Sequence, residues 1–275
     1  MLLELLLSFI TALLISLISI PSIIKVAEMT HIYEKPGQRK VHSGNIPTFG
    51  GVSIFAALLI SMTFWVDATS FAEFQYIVCA VMILFFTGLK DDIFDLVPYK
   101  KLISQILCGF ILMYFADIRL TSLGGLFGIN EIPISISYLL SIITIVGLIN
   151  SFNFIDGIDL LAATTGILIS IIFGIFFYFF NLFSWSILAF SLAGSLVGFA
   201  YFNKTPAKIF MGDTGSLLLG ALCAIMALKL TNANLTNNLL SSAPLFVTAV
   251  LIIPIYDTVR VVFIRILNGK SPLLP

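Results

Sequence analysis

The sequence predicts an all-α fold, a polytopic transmembrane helical bundle of about nine spans with a small extracytoplasmic hairpin. Composition is the first ground. Of 275 residues, 59% are hydrophobic and 10% charged, with a mean hydropathy of +1.11, whereas soluble domains carry about 25% charged residues. So few charges cannot cover a water-facing surface. The second ground is the recurrence of apolar runs long enough to cross a bilayer. The third is that basic residues gather in alternate connections between those runs.

The runs fall at 2–24, 49–66, 74–89, 102–116, 134–149, 162–180, 185–202, 216–230 and 243–267. The first opens Met1-Leu2-Leu3-Glu4 with no positive leader. Its length of about 20 residues predicts a retained helix rather than a signal peptide. The last is long for one crossing, and Pro254 predicts a kink that leaves Arg260 and Arg265 on a cytoplasmic extension. The connection 117–133 places Gly124-Gly125, Gly128 and Asn130 between short apolar stretches, a pattern for a surface hairpin with a structural role. Cys79, Cys108 and Cys223 lie in apolar runs without metal-ligand spacing, so they are expected to be buried, inert thiols. No internal repeat or low-complexity tract is visible, and the chain is expected to form one membrane domain, 1–275.

Threading the runs through a bilayer puts connections 25–48, 90–101, 150–161, 203–215 and 268–275 on one side. That side and its helix ends hold Lys25, Lys35, Arg39, Lys40, Lys90, Lys100, Lys101, Lys204, Lys208, Arg260, Arg265 and Lys270, against Arg119 and Lys229 opposite. Basic residues favour the cytoplasmic side, so the N-terminus is expected outside. Acids and amides contribute little to orientation, yet Asp91, Asp92, Asp95, Asn150, Asn153, Asp156, Asp159, Asn203 and Asp213 land on the same face. Ionisable groups at membrane depth are costly and point to function. Net charge is zero and no nucleic-acid partner is expected.

Asp91-Asp92 repel each other unless a cation or proton separates them, which fits a general base or a nearby divalent metal as well as a solvated helix end. Asn153, Asp156 and Asp159 recur every third residue and are expected to face one way in a tight or helical turn. Helix capping accounts for one of them, not three; hard oxygen donors of this kind suit Mg²⁺. Asp213 precedes the eighth run, where it could cap the helix, and Gly212 and Gly215 would let backbone approach a ligand. Phe210 stands among polar residues, either as a platform for a base or as an interface anchor. Arg39, Lys40 and His42, followed by Pro47 and Gly50-Gly51, suit an anionic ligand at a helix start. His42 reads equally as a proton carrier or a surface residue.

The chain resembles the polyprenyl-phosphate N-acetylhexosamine-1-phosphate transferase family, and within it the WecA-type undecaprenyl-phosphate N-acetylglucosaminyl-1-phosphate transferases. The likeness rests on Arg39 to Gly44 with Pro47 and Gly50-Gly51, Gly88 to Asp95, Asn150 to Asp159, Phe210 to Ser216, Gly269-Lys270-Ser271-Pro272, and the outer segment Leu120 to Gly128. The resemblance implies transfer of N-acetylhexosamine 1-phosphate, by default the GlcNAc form, from a UDP-sugar to undecaprenyl phosphate, with release of UMP. It implies Mg²⁺, with Mn²⁺ as a substitute, a bacterial inner membrane, a cytoplasmic site, a role in starting cell-surface glycans, and a possible homodimer. Asp213 and Asn153 would approach the metal. Asp91 would be the base, supported by Asp92, and Asp156 and Asp159 would line the nucleotide site, completing the catalytic set. Asn203 and Phe210 match uracil-contacting positions and Lys101 a basic position near the diphosphate. Arg39, Lys40, His42 and Lys270 complete the substrate-binding set.

The family pattern continues beyond Ser271-Pro272 into a His-rich motif and a further helix, whereas the only histidines here are His31 and His42. Three alternatives stand beside the main expectation: the peptidoglycan-precursor phospho-MurNAc-pentapeptide transferase, a non-catalytic truncated relative, and a transporter. The Arg39-Lys40-Val41-His42 loop and the outer segment argue against the first. The scarcity of charge inside the apolar runs argues against the last.

Overall fold

A computed structural model describes residues 1–30, 46–67, 69, 71–237 and 242–269. Arg39, Lys40, His42 and Lys270, four of the expected substrate-binding residues, lie outside the described residues. Within them the regular structure is entirely helical. In order come α1 (Leu2–Thr30), α2 (Gly50–Trp65), α3 (Phe74–Phe94), α4 (Pro98–Tyr114), α5 (Ile134–Ile155), α6 (Leu161–Phe179), α7 (Phe183–Asn203), α8 (Gly212–Asn237), α9 (Ala243–Val250) and α10 (Ile252–Leu267). Each apolar run falls on a helix, the last on α9 and α10 together.

Several helices run past their apolar stretch on the side expected to be cytoplasmic. Backbone near a bilayer must satisfy its own hydrogen bonds, so a helix persists until a residue breaks it. Asp95, with φ 45°, ends α3, and Pro98 opens α4 at a position where a missing N–H costs nothing. As a result Asp91, Asp92, Lys101 and Asn153 stand on rigid helix ends rather than loops. Five of the described helices are each long and apolar enough to cross a membrane, and α9 with α10 makes six if that bent pair counts as one. A multi-pass membrane protein follows; the expected count of nine crossings does not.

α8 is the axis of the bundle. It packs against α2, α3, α5, α6 and α9, and nearly all of its apolar length is buried. Gly220, Ala221, Ala224 and Ala227 line it; small side chains let neighbouring helices come close without a hydrophobic driving force. α1 lies against α7 and α2, where Ser61 Oγ donates to the Ser8 carbonyl at 2.8 Å and lies 2.8 Å from Ser191 Oγ.

One close approach that bears on the site is at Gly88 of α3. A Cβ there would stand 2.5 Å from Thr214 Cα, 2.6 Å from Thr214 N and 2.7 Å from the Asp213 carbonyl carbon. Backbone atoms at the head of a buried helix cannot swing aside. Gly88→Ala is therefore expected to destabilise the protein by about 1–3 kcal/mol, read as a lowered melting temperature in detergent.

Three expectations need correction. The break in the last run comes at Leu251, where α9 and α10 meet at 70°, rather than as a kink at Pro254. Pro254 sits in the first turn of α10; it cannot donate to the Val250 carbonyl and its ring crowds that group, so the helix parts upstream. The outer connection is not a hairpin ladder. It holds a short 3₁₀ turn at Leu126–Gly128, closed by Ile132 N donating to the Thr121 carbonyl at 3.0 Å. Asn232 of α8 tethers it, accepting from Thr121 Oγ1 at 2.8 Å and donating to the Arg119 carbonyl at 2.6 Å. A helix side chain thus does the work expected of a second strand. Finally, Cys79 is exposed while Cys108 and Cys223 are buried; lying in an apolar run does not fix which face of a helix a residue occupies.

Candidate active site

The site is built where four helix ends meet the head of α8. Asp213 is in the first turn of that helix. Its Oδ2 accepts a hydrogen bond from Lys101 Nζ at 2.5 Å, and its Oδ1 accepts one from Asn153 Nδ2. The same Asn153 amide reaches Ser216 Oγ at 3.0 Å. Lys101 also pairs with Asp91 Oδ2, so one ammonium bridges carboxylates from α3 and α8. Asp91 is nearly buried, and its other oxygen accepts from Leu96 N at 2.5 Å.

Asp92 does something different from its neighbour. Its Oδ1 accepts from Asp213 N at 2.7 Å, and its Oδ2 from Thr214 N at 3.1 Å and Thr214 Oγ1 at 2.5 Å. Asp92 on α3 therefore caps α8 from outside, satisfying N–H groups that have no partner within their own helix and placing negative charge at the positive end of the helix dipole. Capping by Asp92 frees the Asp213 carboxylate to face Lys101 and Asn153.

The glycines of the Phe210–Ser216 stretch serve this junction. Gly212 has φ 72°, and a Cβ there would meet the Asp92 carboxylate at 2.8 Å. Gly215 packs against Gly51 at the start of α2. Gly50 N donates to the Phe210 carbonyl at 2.9 Å, Gly51 N to the Met211 carbonyl at 2.9 Å, and Phe210 N to the Pro47 carbonyl at 2.8 Å. The segment leading into α2 is thus stitched to the head of α8.

Asn153 and Asp156 both lie on the Asp213 side, while Asp159 departs from them toward the α7–α8 connection. The helix ends at Ile155, so the three-residue spacing stops being a facial pattern there. Asp156 lies in the field of Asp213 and Asp92; burial, with those two carboxylates adding to it, pushes its carboxyl well above the ordinary range. Asp159 accepts from Thr205 Oγ1 at 3.1 Å, across to the α7–α8 connection. Asn203 is buried with both ends of its amide engaged: Oδ1 accepts from Leu160 N at 2.8 Å, and Nδ2 donates to the Ile209 carbonyl at 2.9 Å. It joins the α5–α6 and α7–α8 connections. The Phe210 side chain is half-buried beside them.

Among the described residues, no three acidic, histidine or cysteine side chains form a cage that could hold a metal alone. Asp213 and Asn153 are the oxygen-bearing pair that could contribute to one, and the Lys101 ammonium already sits between two of the carboxylates. No separate sequence signal marks Thr214 as the partner of Asp92, nor Gln105, which exchanges hydrogen bonds with Asn150 one turn below Lys101. A polar residue inside an apolar run is the only trace of Gln105.

The sequence pattern of glycosyl transferase family 4 matches residues 74–231, more than half of the chain. This chain belongs to glycosyl transferase family 4. The matched stretch holds Asp91, Asp92, Lys101, Asn153, Asp156, Asp159, Asn203, Phe210 and Asp213, the whole described cluster of this family 4 protein. The undecaprenyl-phosphate alpha-N-acetylglucosaminyl 1-phosphate transferase of Escherichia coli (strain K12) is 30% identical over 259 residues, covering 91% of this chain and 68% of its own length. The same coverage and identity hold for the protein of that name in Yersinia pestis. A probable undecaprenyl-phosphate N-acetylglucosaminyl 1-phosphate transferase of Bacillus subtilis (strain 168) is 30% identical over 275 residues, covering 97% of this chain and 73% of its own.

Proposed function

We propose that this family 4 protein transfers N-acetylglucosamine 1-phosphate from UDP-GlcNAc to undecaprenyl phosphate. An oxygen of the lipid phosphate attacks the sugar-linked phosphorus, the bond from that phosphorus to UMP breaks, and undecaprenyl-diphosphate-GlcNAc and UMP leave. The observation that carries this reading is the convergence of Asp91, Lys101 and Asn153 on Asp213 at the head of α8, within a stretch shared with relatives that bear this activity in their names.

Phosphoryl transfer asks the protein mainly for alignment and charge stabilisation. A phosphate monoester has a second pKa of about 6 and is mostly ionised at neutral pH, so Asp91 is asked to orient the acceptor more than to deprotonate it. Lys101 is placed to exchange its carboxylate partners for diphosphate oxygens. Asn203 shapes the nucleotide side by holding two connections together, with Asp156, Asp159 and Phe210 around it. An apolar groove of about 370 Å³, lined by Ile155, Leu161, Ile252, Ile253, Tyr256 and Asp257, begins one residue from Asp156 and suits a polyprenyl chain.

A divalent cation fits the donor set. Mg²⁺ is commonly held by one or two carboxylates together with substrate phosphates, and Asp213 with Asn153 would hold it here. When bound it would neutralise the diphosphate and the departing UMP. The placement of the basic residues supports a cytoplasmic site and an outside N-terminus; a bacterial inner membrane and a product that starts a cell-surface glycan belong to the same proposal. A single membrane domain and a homodimer belong to the same reading.

Purified protein incubated with undecaprenyl phosphate and radiolabelled UDP-GlcNAc is expected to label the lipid; UDP-MurNAc-pentapeptide is not. Label from the peptide donor alone would transfer the assignment to the peptidoglycan-precursor reaction, and no label from either would overturn the transferase reading. Chelation by EDTA is expected to abolish turnover, with recovery on adding Mg²⁺ or Mn²⁺. Undiminished turnover in EDTA would remove the metal from the proposal.

A further inference from the structure

Gln105 of α4 is 1% exposed. Its amide is paired with that of Asn150 on α5: Asn150 Nδ2 donates to Gln105 Oε1 at 2.8 Å, and Gln105 Nε2 donates to Asn150 Oδ1 at 3.3 Å. Asn150 Nδ2 also donates to the Val146 carbonyl at 2.8 Å. An unpaired amide in an apolar interior is costly, so the pair selects one sliding and rotational register of α4 against α5.

That register matters because of what stands one turn above. Gln105 follows Lys101 by four positions and Asn150 precedes Asn153 by three, so each amide shares a helix face with a residue of the site. Lys101 takes one oxygen of Asp213 and Asn153 the other. α4 packs against α3 and α5, and Lys101 must reach across to α8. The placement of its ammonium therefore depends on how α4 sits against α5. Among the described residues, the amide pair supplies the side-chain hydrogen bonds between these two helices.

We infer that Gln105 and Asn150 are positioning residues that set Lys101 and Asn153 on the two oxygens of Asp213. This rests on the reading of Lys101 and Asn153 as groups at the reacting phosphates, although their placement can be measured without it. A positional error of about 1 Å in a reacting group costs up to about 100-fold in rate. Replacing both partners with apolar residues of similar shape is nearly neutral for stability. The two effects are therefore separable.

Three proteins test this: the parent, Gln105→Leu/Asn150→Leu, and the exchange Gln105→Asn/Asn150→Gln, which keeps an amide pair with the long arm on the other helix. The double leucine protein is expected to keep a melting temperature near the parent's and to lose about 10–100-fold in kcat, with a smaller change in KM. The exchange protein is expected to recover most of that loss. Independently, acetylation of Lys101 in detergent, followed by mass spectrometry, is expected to be several-fold faster in the double leucine protein than in the parent, because the ammonium is no longer held between two carboxylates. Parent-like kcat and parent-like labelling in the double leucine protein would overturn the inference. So would a rate loss that only tracks a fall in melting temperature across the set. If the parent itself proves inactive, the function proposed above fails, while the labelling comparison still decides whether the pair positions Lys101.

Discussion

Asp213→Asn is expected to lower kcat/KM by about 10²–10³-fold, the scale on which removing one electrostatic contact to a reacting group is felt. The substitution takes a negative charge from the point where Lys101 and Asn153 converge. It leaves Lys101 with Asp91 alone and weakens any divalent cation held with the substrate diphosphate. Thr214 and Ser216 remain, and Asp92 still caps the backbone N–H groups of α8, so the fold should survive with a near-parent melting temperature. Lipid labelling from radiolabelled UDP-GlcNAc across a Mg²⁺ titration is the measurement. Full turnover by Asp213→Asn at parent Mg²⁺ would remove Asp213 from the metal and from the reacting phosphates.

For Asp92→Ala the expected loss is of both stability and rate. The carboxylate accepts three hydrogen bonds at the first turn of α8, and leaving buried donors unsatisfied costs about 1–3 kcal/mol. A frayed first turn also carries Asp213 away from Lys101, with a rate loss of up to about 100-fold. Asp92→Asn retains one accepting oxygen and should fall between the two in both respects. The pairing of effects is what distinguishes a cap from a catalyst. If Asp92→Asn keeps the parent melting temperature yet is as inactive as Asp92→Ala, Asp92 acts on the substrate directly and the capping role is secondary.

The adjacent carboxylates illustrate what a sequence can and cannot say. Asp91-Asp92 was legible as a functional pair because like charges at the end of an apolar run need a compensating cation or donors. Their division of labour was not legible: successive residues on a helix point in different directions, so one meets Lys101 and the other meets α8. The Asn153, Asp156, Asp159 series misled at its last member for a related reason. A three-residue period means a shared face only while the helix lasts, and it ends at Ile155. Asn203 was legible as a polar residue at the active face, but its amide is taken up by Ile209 within its own connection and by Leu160, a partner that becomes a neighbour only after the α5–α6 and α7–α8 connections have packed.

Polar loops on one face were determined by the sequence itself. Hydropathy sets where segments enter apolar surroundings, the bias of lysine and arginine gathers the basic ends on one side, and both are sums over local composition. Only the tertiary structure decided that these loops close around the head of a single helix. α8 carries small residues along its length and is packed on several sides at once, so α3 brings Asp92 to its first N–H groups while α4 and α5 bring Lys101 and Asn153 to the Asp213 carboxylate. That convergence depends on distances between residues as far apart in sequence as Asp92 and Thr214, which no local pattern encodes.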